Sequence, residues 1–267
     1  MKLKLVCIVL FVIVLISFLH YFNTYTLLEN FHEYKYTAVI IEPREHPALE
    51  YVLKNFNDNL SDEWQFVVFH GNKNIEFTKN ICEKVFIPER VKLVNLGVDN
   101  LTISDYSGLF YNDLLYSNIP TEVFLIFQTD TIICSQFKDN INQFLEYDYV
   151  GAPWDHDHVE GPGNNLRVGN GGLSLRKKSK MKEIIEKCKD IKKGDEYIWE
   201  DVIFSNGCGL VTLNKPDEEE AKSFSIEQVY HDKSFGIHKA YAYLDSDKIG
   251  GWCPEITTLK QLNGNKP

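Results

Sequence analysis

Apolar residues follow two patterns that alternate along the chain. Short unbroken runs closed by turn residues trade places with segments whose apolar positions return every three to four residues, so buried strands should alternate with amphipathic helices. Thr37–Ile41 (TAVII) is β-branched and ends at Glu42-Pro43-Arg44, which reads as a first buried strand turned by proline. Pro47 can open a helix in which Ala48, Leu49, Val52, Leu53, Phe56 and Leu60 share one face. Trp64–Phe69 (WQFVVF) and Val91–Leu96 are further strands, and Tyr106–Ser117 a further helix. The strongest run lies in Glu122–Thr131 (EVFLIFQTDT), a central strand that stops at the carboxylate of Asp130. The alternation predicts an α/β fold with a Rossmann-like, mostly parallel central sheet flanked by helices. Such sheets collect ligand groups at the carboxyl ends of their strands, so the chemistry is expected near Asp130.

The pattern changes after Val150. From Gly151 to Gly172 the chain is rich in Gly, Asp, His and Asn, too punctuated for regular structure. Asp155, His156, Asp157 and His158 read there as a solvated loop, because neighbours on one loop rarely close a metal site alone. In Asn170-Gly-Gly-Leu-Ser-Leu-Arg176 two glycines permit close backbone approach, and a short strand leads into a helix that buries Met181, Ile184, Ile185, Cys188 and Ile191. Its lysines are expected to be a solvated face rather than an anion site. Glu200 and Asp201 precede an apolar segment, and spacing leaves two readings open: acids favoured at a helix start, or a general base at the floor of a cleft. Phe224-Ser-Ile-Glu227 and Phe235-Gly-Ile-His238 follow, and His238 alone reads first as a packed histidine. The terminal piece from Asp245 carries little signal.

The N-terminus departs from this pattern. Lys2 and Lys4 precede an uncharged apolar run followed by His20, Tyr21 and Phe22, without a small-residue cleavage site. The expectation is a signal anchor over 1–22, a short stem over 23–35 and a domain over 36–267, hence a single-pass type II membrane protein with its domain in an ER/Golgi-type lumen. The sequons at Asn59 and Asn100 agree with that placement. Outside the anchor, Cys82, Cys134, Cys188, Cys208 and Cys253 allow one or two disulfides and show no metal-ligand spacing. At 267 residues and 44% apolar composition the chain fits one α/β domain, and a net charge of −10 argues against nucleic acid as partner.

The segments EPREHPALEYVLKNF, FHGNKN, LIFQTD, YVGAPW, VGNGGLSLR, EDVIFS and FGIHKA, in this order, resemble an uncharacterised family of glycosyltransferase-like proteins over Tyr36–Leu244. More distantly, their order is similar to that of inverting galactosyl- and N-acetylglucosaminyltransferases of the secretory pathway. The resemblance implies a GT-A-like fold and transfer of a sugar from a nucleotide-sugar donor to a glycan, protein or lipid hydroxyl. It makes Asp130 the last residue of a metal-binding D-x-D motif, His238 the second protein ligand of Mn²⁺ or Mg²⁺, and Asp201, beside Glu200, the catalytic base. Asn170, Gly171 and Gly172 would border donor and acceptor, Trp154 would line the acceptor side, and Glu42 and Arg44 would lie near the nucleotide. Gln128 occupies the first D-x-D position, so the motif reads Q-T-D; its amide can accept from a ribose hydroxyl but brings no charge to a metal. The alternatives are a non-catalytic carbohydrate-binding or assembly protein on the same scaffold, and a phosphate-ester hydrolase.

Overall fold

The computed structural model describes residues 15, 17, 34–155, 167–188 and 191–264. Two compact units divide the chain, Met1–Tyr34 and Lys35–Pro267, and the second holds the sheet. Strands β1 (Tyr36–Ile41), β2 (Trp64–His70), β3 (Val91–Asn95) and β4 (Val123–Phe127) are parallel, in the order β3-β2-β1-β4. Helices α1 (Leu49–Asn59), α2 (Ile75–Val85), α3 (Ile103–Leu109) and α4 (Asp113–Ser117) fall between them. The Rossmann-like α/β fold expected from the alternation is therefore present. The sheet is mixed, however, because β7 (Leu173–Lys177) pairs antiparallel with β4, and β6 (Tyr149–Gly151) pairs antiparallel with β7 at the edge.

Alternation of side chains across the pleat sorts the core into two layers. Ala38, Ile40, Phe66, Val68, Leu125 and Phe127 face the layer that contains the apolar side of α1. Val39, Ile41, Val67, Phe69, Phe124 and Ile126 face the other, where Phe110, Leu115 and Tyr116 cover them. The segment read as one helix from Tyr106 is two. Thr102 caps α3 by a reciprocal capping box with Asp105, and Asn112 caps α4 by accepting from the Leu114 amide.

A second small sheet supports the carboxyl edge of the first. Strand β5 (Thr131–Ile133) leaves Asp130 and pairs antiparallel with β11 (Gly236–His238), which pairs parallel with β10 (Ser225–Ile226). This register sets His238 opposite Thr131, and the Lys239 amide donates to the Asp130 carbonyl at 2.9 Å. A hairpin of β8 (Lys192–Lys193) and β9 (Glu196–Tyr197) precedes α6 (Glu200–Asn206), while α5 (Lys178–Lys187) leads out of β7. The chain then adds α7 (Glu218–Phe224), α8 (Ser246–Gly250) and α9 (Ile256–Gly264), the last two in the terminal piece that gave little sequence signal. Disulfides join Cys134 to Cys253 and Cys188 to Cys208, and among the described residues Cys82 is a buried thiol whose pKa burial pushes up to about 12.

The expected membrane topology needs correction. Among the described residues no helix is long and apolar enough to cross a membrane, so a single-pass type II arrangement has no support. The segments read as anchor (1–22) and stem (23–35) lie almost wholly outside the described residues, as do His156, Asp157 and His158. An apolar run of this length is also ambiguous in principle, since it sits at the short end of what spans a bilayer.

Candidate active site

Glu42 follows β1 directly and Gln128 to Asp130 follow β4, so the carboxyl ends of two neighbouring parallel strands bring these side chains together. Phe127 pairs with Leu173, the first residue of antiparallel β7, and this places the Gly171-Gly172 turn at the same edge. The small sheet brings His238 there, and α6 brings Glu200 and Asp201. One cleft is thus lined by Gln128, Asn170, Gly171, Gly172, Glu200, Asp201 and His238. It adjoins a cavity of about 330 Å³ lined by Glu42, Arg44, Gln128 and Asp130, with Asn100, Thr102, Ile103 and Tyr106 closing the other side.

The two glycines are required by contact. A Cβ at Gly172 would lie 2.2 Å from His238 Nε2, and one at Gly171 would lie 2.5 Å from Glu200 Oε1. The expected close backbone approach is to these protein groups. Asn170 fixes the turn: its Nδ2 donates to Glu227 Oε2 at 2.8 Å, and its Oδ1 accepts from the Gly172 amide at 3.1 Å.

His238 is buried between two carboxylates. Its Nε2 lies 3.4 Å from Asp130 Oδ1 and its Nδ1 lies 3.3 Å from Glu227 Oε1. At these separations neither the Asp130 oxygen nor the His238 Nδ1 makes a well-formed hydrogen bond, although both are buried. Burial alone would lower the His238 pKa, but Asp130 and Glu227 outweigh it and raise it. Burial pushes the Asp130 carboxyl up, and His238, Lys239 and a backbone hydrogen bond together bring it below its ordinary value. Glu227 is raised, chiefly by burial.

Glu200 and Asp201 are adjacent in sequence and separate in role. Glu200 Oε2 and Oε1 accept from Arg176 at 2.6 and 3.0 Å, and both side chains are buried. The guanidinium also lies 4.8 Å from the Phe110 ring centroid and 4.9 Å from that of Tyr149, so the pair is packed on its apolar sides as well. Among the described residues no cation pairs with Asp201. Its Oδ1 accepts from its neighbour's amide, Val202, at 2.9 Å and its Oδ2 from Gly171 at 3.3 Å. Burial, then the negative charge of Glu200, push its pKa to about 7. Both acids start α6 and both line the cleft, Glu200 held by Arg176 and Asp201 by backbone amides.

Glu42 is committed to Arg44, which donates to it through Nε at 2.8 Å and Nη2 at 2.9 Å. Asn74 holds the carbonyls of both residues at 2.9 Å, which shapes the turn after β1. Gln128 Nε2 donates to the Tyr106 hydroxyl at 2.9 Å. Trp154 is not brought to the cleft; its buried indole packs on Gly169. Sequence reasoning assigned no role to Arg176, Glu227 or Tyr106. The available signal for Glu227 was the similarity of FSIE to FGIH, two apolar stretches that each end in a polar residue and pair so that Ile226 lies beside Ile237.

Residues 90–238 match a family described as protein of unknown function (DUF5672), which covers more than half of the chain. The chain belongs to the DUF5672 family. No curated protein matches its sequence. Among solved structures, the inositol-1-phosphate CTP transferase from T. maritima is similar to this DUF5672 protein with a TM-score of 0.50 and 8% identity, over 86% of this chain and 97% of that one. HddC from Yersinia pseudotuberculosis matches at 0.46 and 13% identity, over 83% and 99%. The 4-diphosphocytidyl-2C-methyl-D-erythritol synthase from Anaerococcus prevotii matches at 0.41 and 12% identity, over 64% and 81%. At such identities the likeness is one of fold, carried by the T. maritima enzyme. The resemblance to a glycosyltransferase-like family with a GT-A fold is corrected by these findings. Its motifs, a strand-end acid, a Gly-Gly turn and an acidic pair at a helix start, arise in many α/β sheets with ligand sites at one edge.

Proposed function

We propose that this DUF5672 protein transfers a sugar from a nucleotide-activated donor to a hydroxyl acceptor, with Asp201 as general base. The observation that carries this reading is the environment of Asp201, a carboxyl with its pKa pushed to about 7 in a cleft shared with His238 and next to the cavity of Glu42, Arg44, Gln128 and Asp130. A base is most effective when its pKa is close to the working pH. Glu200 is paired with Arg176, and its negative charge adds to burial in raising the Asp201 carboxyl.

Asp130 and His238 fit a divalent ion that is shared with a substrate. They offer one carboxylate and one imidazole, with Glu227 Oε1 3.3 Å from His238 Nδ1 and Asp130 Oδ1 3.4 Å from Nε2. Among the described residues no set of three His, Cys, Asp or Glu side chains forms a complete metal cage, so diphosphate oxygens and water would supply the other positions. Bound Mn²⁺ or Mg²⁺ would neutralise charge developing on a diphosphate leaving group. Asp201 takes the acceptor's proton as the acceptor oxygen bonds to the anomeric carbon, and the bond from that carbon to the diphosphate breaks. Attack from the opposite face inverts that carbon.

A second reading is a non-catalytic carbohydrate-binding protein on this scaffold. It is favoured by Gln128, a neutral amide turned to Tyr106 rather than a charged ligand. Calorimetric titration of the full chain with UDP, GDP and CTP, with and without Mn²⁺, separates the two; CTP is included because the T. maritima fold relative is a CTP transferase. The transfer reading expects one nucleotide to bind only with Mn²⁺, and at least about tenfold more weakly in Asp130→Ala. Failure of a folded chain to bind any of them removes transfer and leaves the binding protein.

A further inference from the structure

Adjoining the cleft that holds Asp201 lies a second hollow of about 340 Å³. Its walls are Thr102, Ile103 and Ser104 from the start of α3, and Glu196, Tyr197 and Trp199 from the hairpin and the residue that opens α6. Ile103 and Trp199 line this hollow and the reactive cleft alike, so the two are continuous. Trp199 is 57% exposed and Ile103 74%, whereas Trp64 and Trp154 are 2% and 3% exposed. A tryptophan left in water next to the reactive carboxyl, when the fold buries others almost completely, calls for a partner.

The hollow is preformed. The Tyr197 amide donates to Ser104 Oγ at 2.9 Å, and the Tyr197 ring lies against Gly108, where a Cβ would come within 2.7 Å of it. Tyr197 also stacks on Tyr111 at 5.4 Å, and Lys192 Nζ sits 4.3 Å above its ring. The hairpin is thus docked on α3, and the exposed Glu196 carboxylate remains on the rim.

We infer that this hollow is the acceptor subsite and that it takes a neutral saccharide, with Trp199 as the stacking platform. This rests on the transfer reading only for the word acceptor; the saccharide site stands on Trp199, Ile103 and Glu196. One face of a pyranose presents C–H groups that pack on an aromatic ring, while its hydroxyls donate to a carboxylate at the rim. Glu196 is the charged group among the hollow's lining residues and disfavours an anionic glycan, since like charges repel. Trp199 and Asp201 both line the neighbouring cleft, so a sugar stacked on Trp199 would lie at the mouth of the cleft that holds the base.

The test is calorimetric titration of the full chain with lactose, cellobiose, chitobiose and maltose, without nucleotide or metal. At least one should bind, about tenfold more weakly in Trp199→Ala and nearly unchanged in Trp199→Phe. Absence of binding by all four, or binding that Trp199→Ala leaves intact, overturns the subsite. Nucleotide titrations of the same preparations keep the two claims apart. Sugar binding that depends on Trp199 in a chain that binds no nucleotide retains the saccharide site and removes transfer. Nucleotide binding without sugar binding does the reverse.

Discussion

Ionising Asp201 works against folding. Its pKa rises from an ordinary 3.8 to about 7 on folding, so the folded chain binds the proton more tightly than the unfolded one. For a carboxyl raised in this way the sign is opposite to the usual salt-bridged case: stability is greatest at low pH and falls as pH climbs from about 4 to about 7. Replacing Asp201 with Asn removes the charge and should raise the melting temperature at pH 8, by a stabilisation of about 2–4 kcal/mol, with a gain of only about 1 kcal/mol at pH 4.5 and almost none at pH 3. Thermal melts across that range check this, and a gain independent of pH would show that Asp201 is not desolvated as described. The same variant should lose about 10²–10⁴-fold in turnover, and the parent's kcat/KM should rise through about pH 7 to a plateau. Opposite signs for stability and activity at one residue mark a functional carboxyl rather than a helix-start acid.

At the scale of elements, the base depends on how α6 is fixed to β7. Arg176 and Glu200 are both buried, so removing one partner strands a charge while removing both does not. Glu200→Ala should therefore cost about 3–5 kcal/mol in urea unfolding, and Arg176→Met with Glu200→Met should recover most of it. Additive losses in the double variant would refute a coupled pair. Sequence patterns made β1, β2, β4 and the apolar face of α1 legible because continuous β-branched runs and helical spacing are local signals. They also placed Asp130 at a strand end. They did not give the Arg176–Glu200 pair, the contact of His238 with Glu227, or the antiparallel β6 and β7, because each depends on a register set between segments distant in sequence. The break between α3 and α4 was written locally, in Thr102 with Asp105 and in Asn112, but the apolar spacing running across it masks those caps.

Over the whole molecule, the short strands and helices of the carboxyl edge need a support that their size does not give. Strands β10, β5 and β11 have two or three residues each, and α8 has five, lengths that are marginal without tertiary contacts. The Cys134–Cys253 disulfide spans 119 residues and ties the end of β5, three residues beyond Thr131, to the segment between α8 and α9. Asn263 Nδ2 of α9 donates in turn to the Thr129 carbonyl at 3.0 Å, so the C-terminal helices brace the loop that presents Asp130. Constraining a loop of that length in the unfolded chain is worth about 4–5 kcal/mol in the chain-entropy account, against about 3 for a loop of roughly 20 residues such as Cys188–Cys208 closes. The Cys134→Ser, Cys253→Ser variant should therefore melt on the order of 10 °C lower and bind Mn²⁺-dependent nucleotide more weakly, since the strand bearing Asp130 loses its brace. Cys188→Ser with Cys208→Ser should lower the melting temperature less and act mainly on turnover, because that bridge joins the ends of α5 and α6 near the helix that carries Asp201. Equal effects of the two double variants on nucleotide affinity would mean that the C-terminal helices do not support the Asp130 loop, and the brace would have to lie elsewhere in the fold.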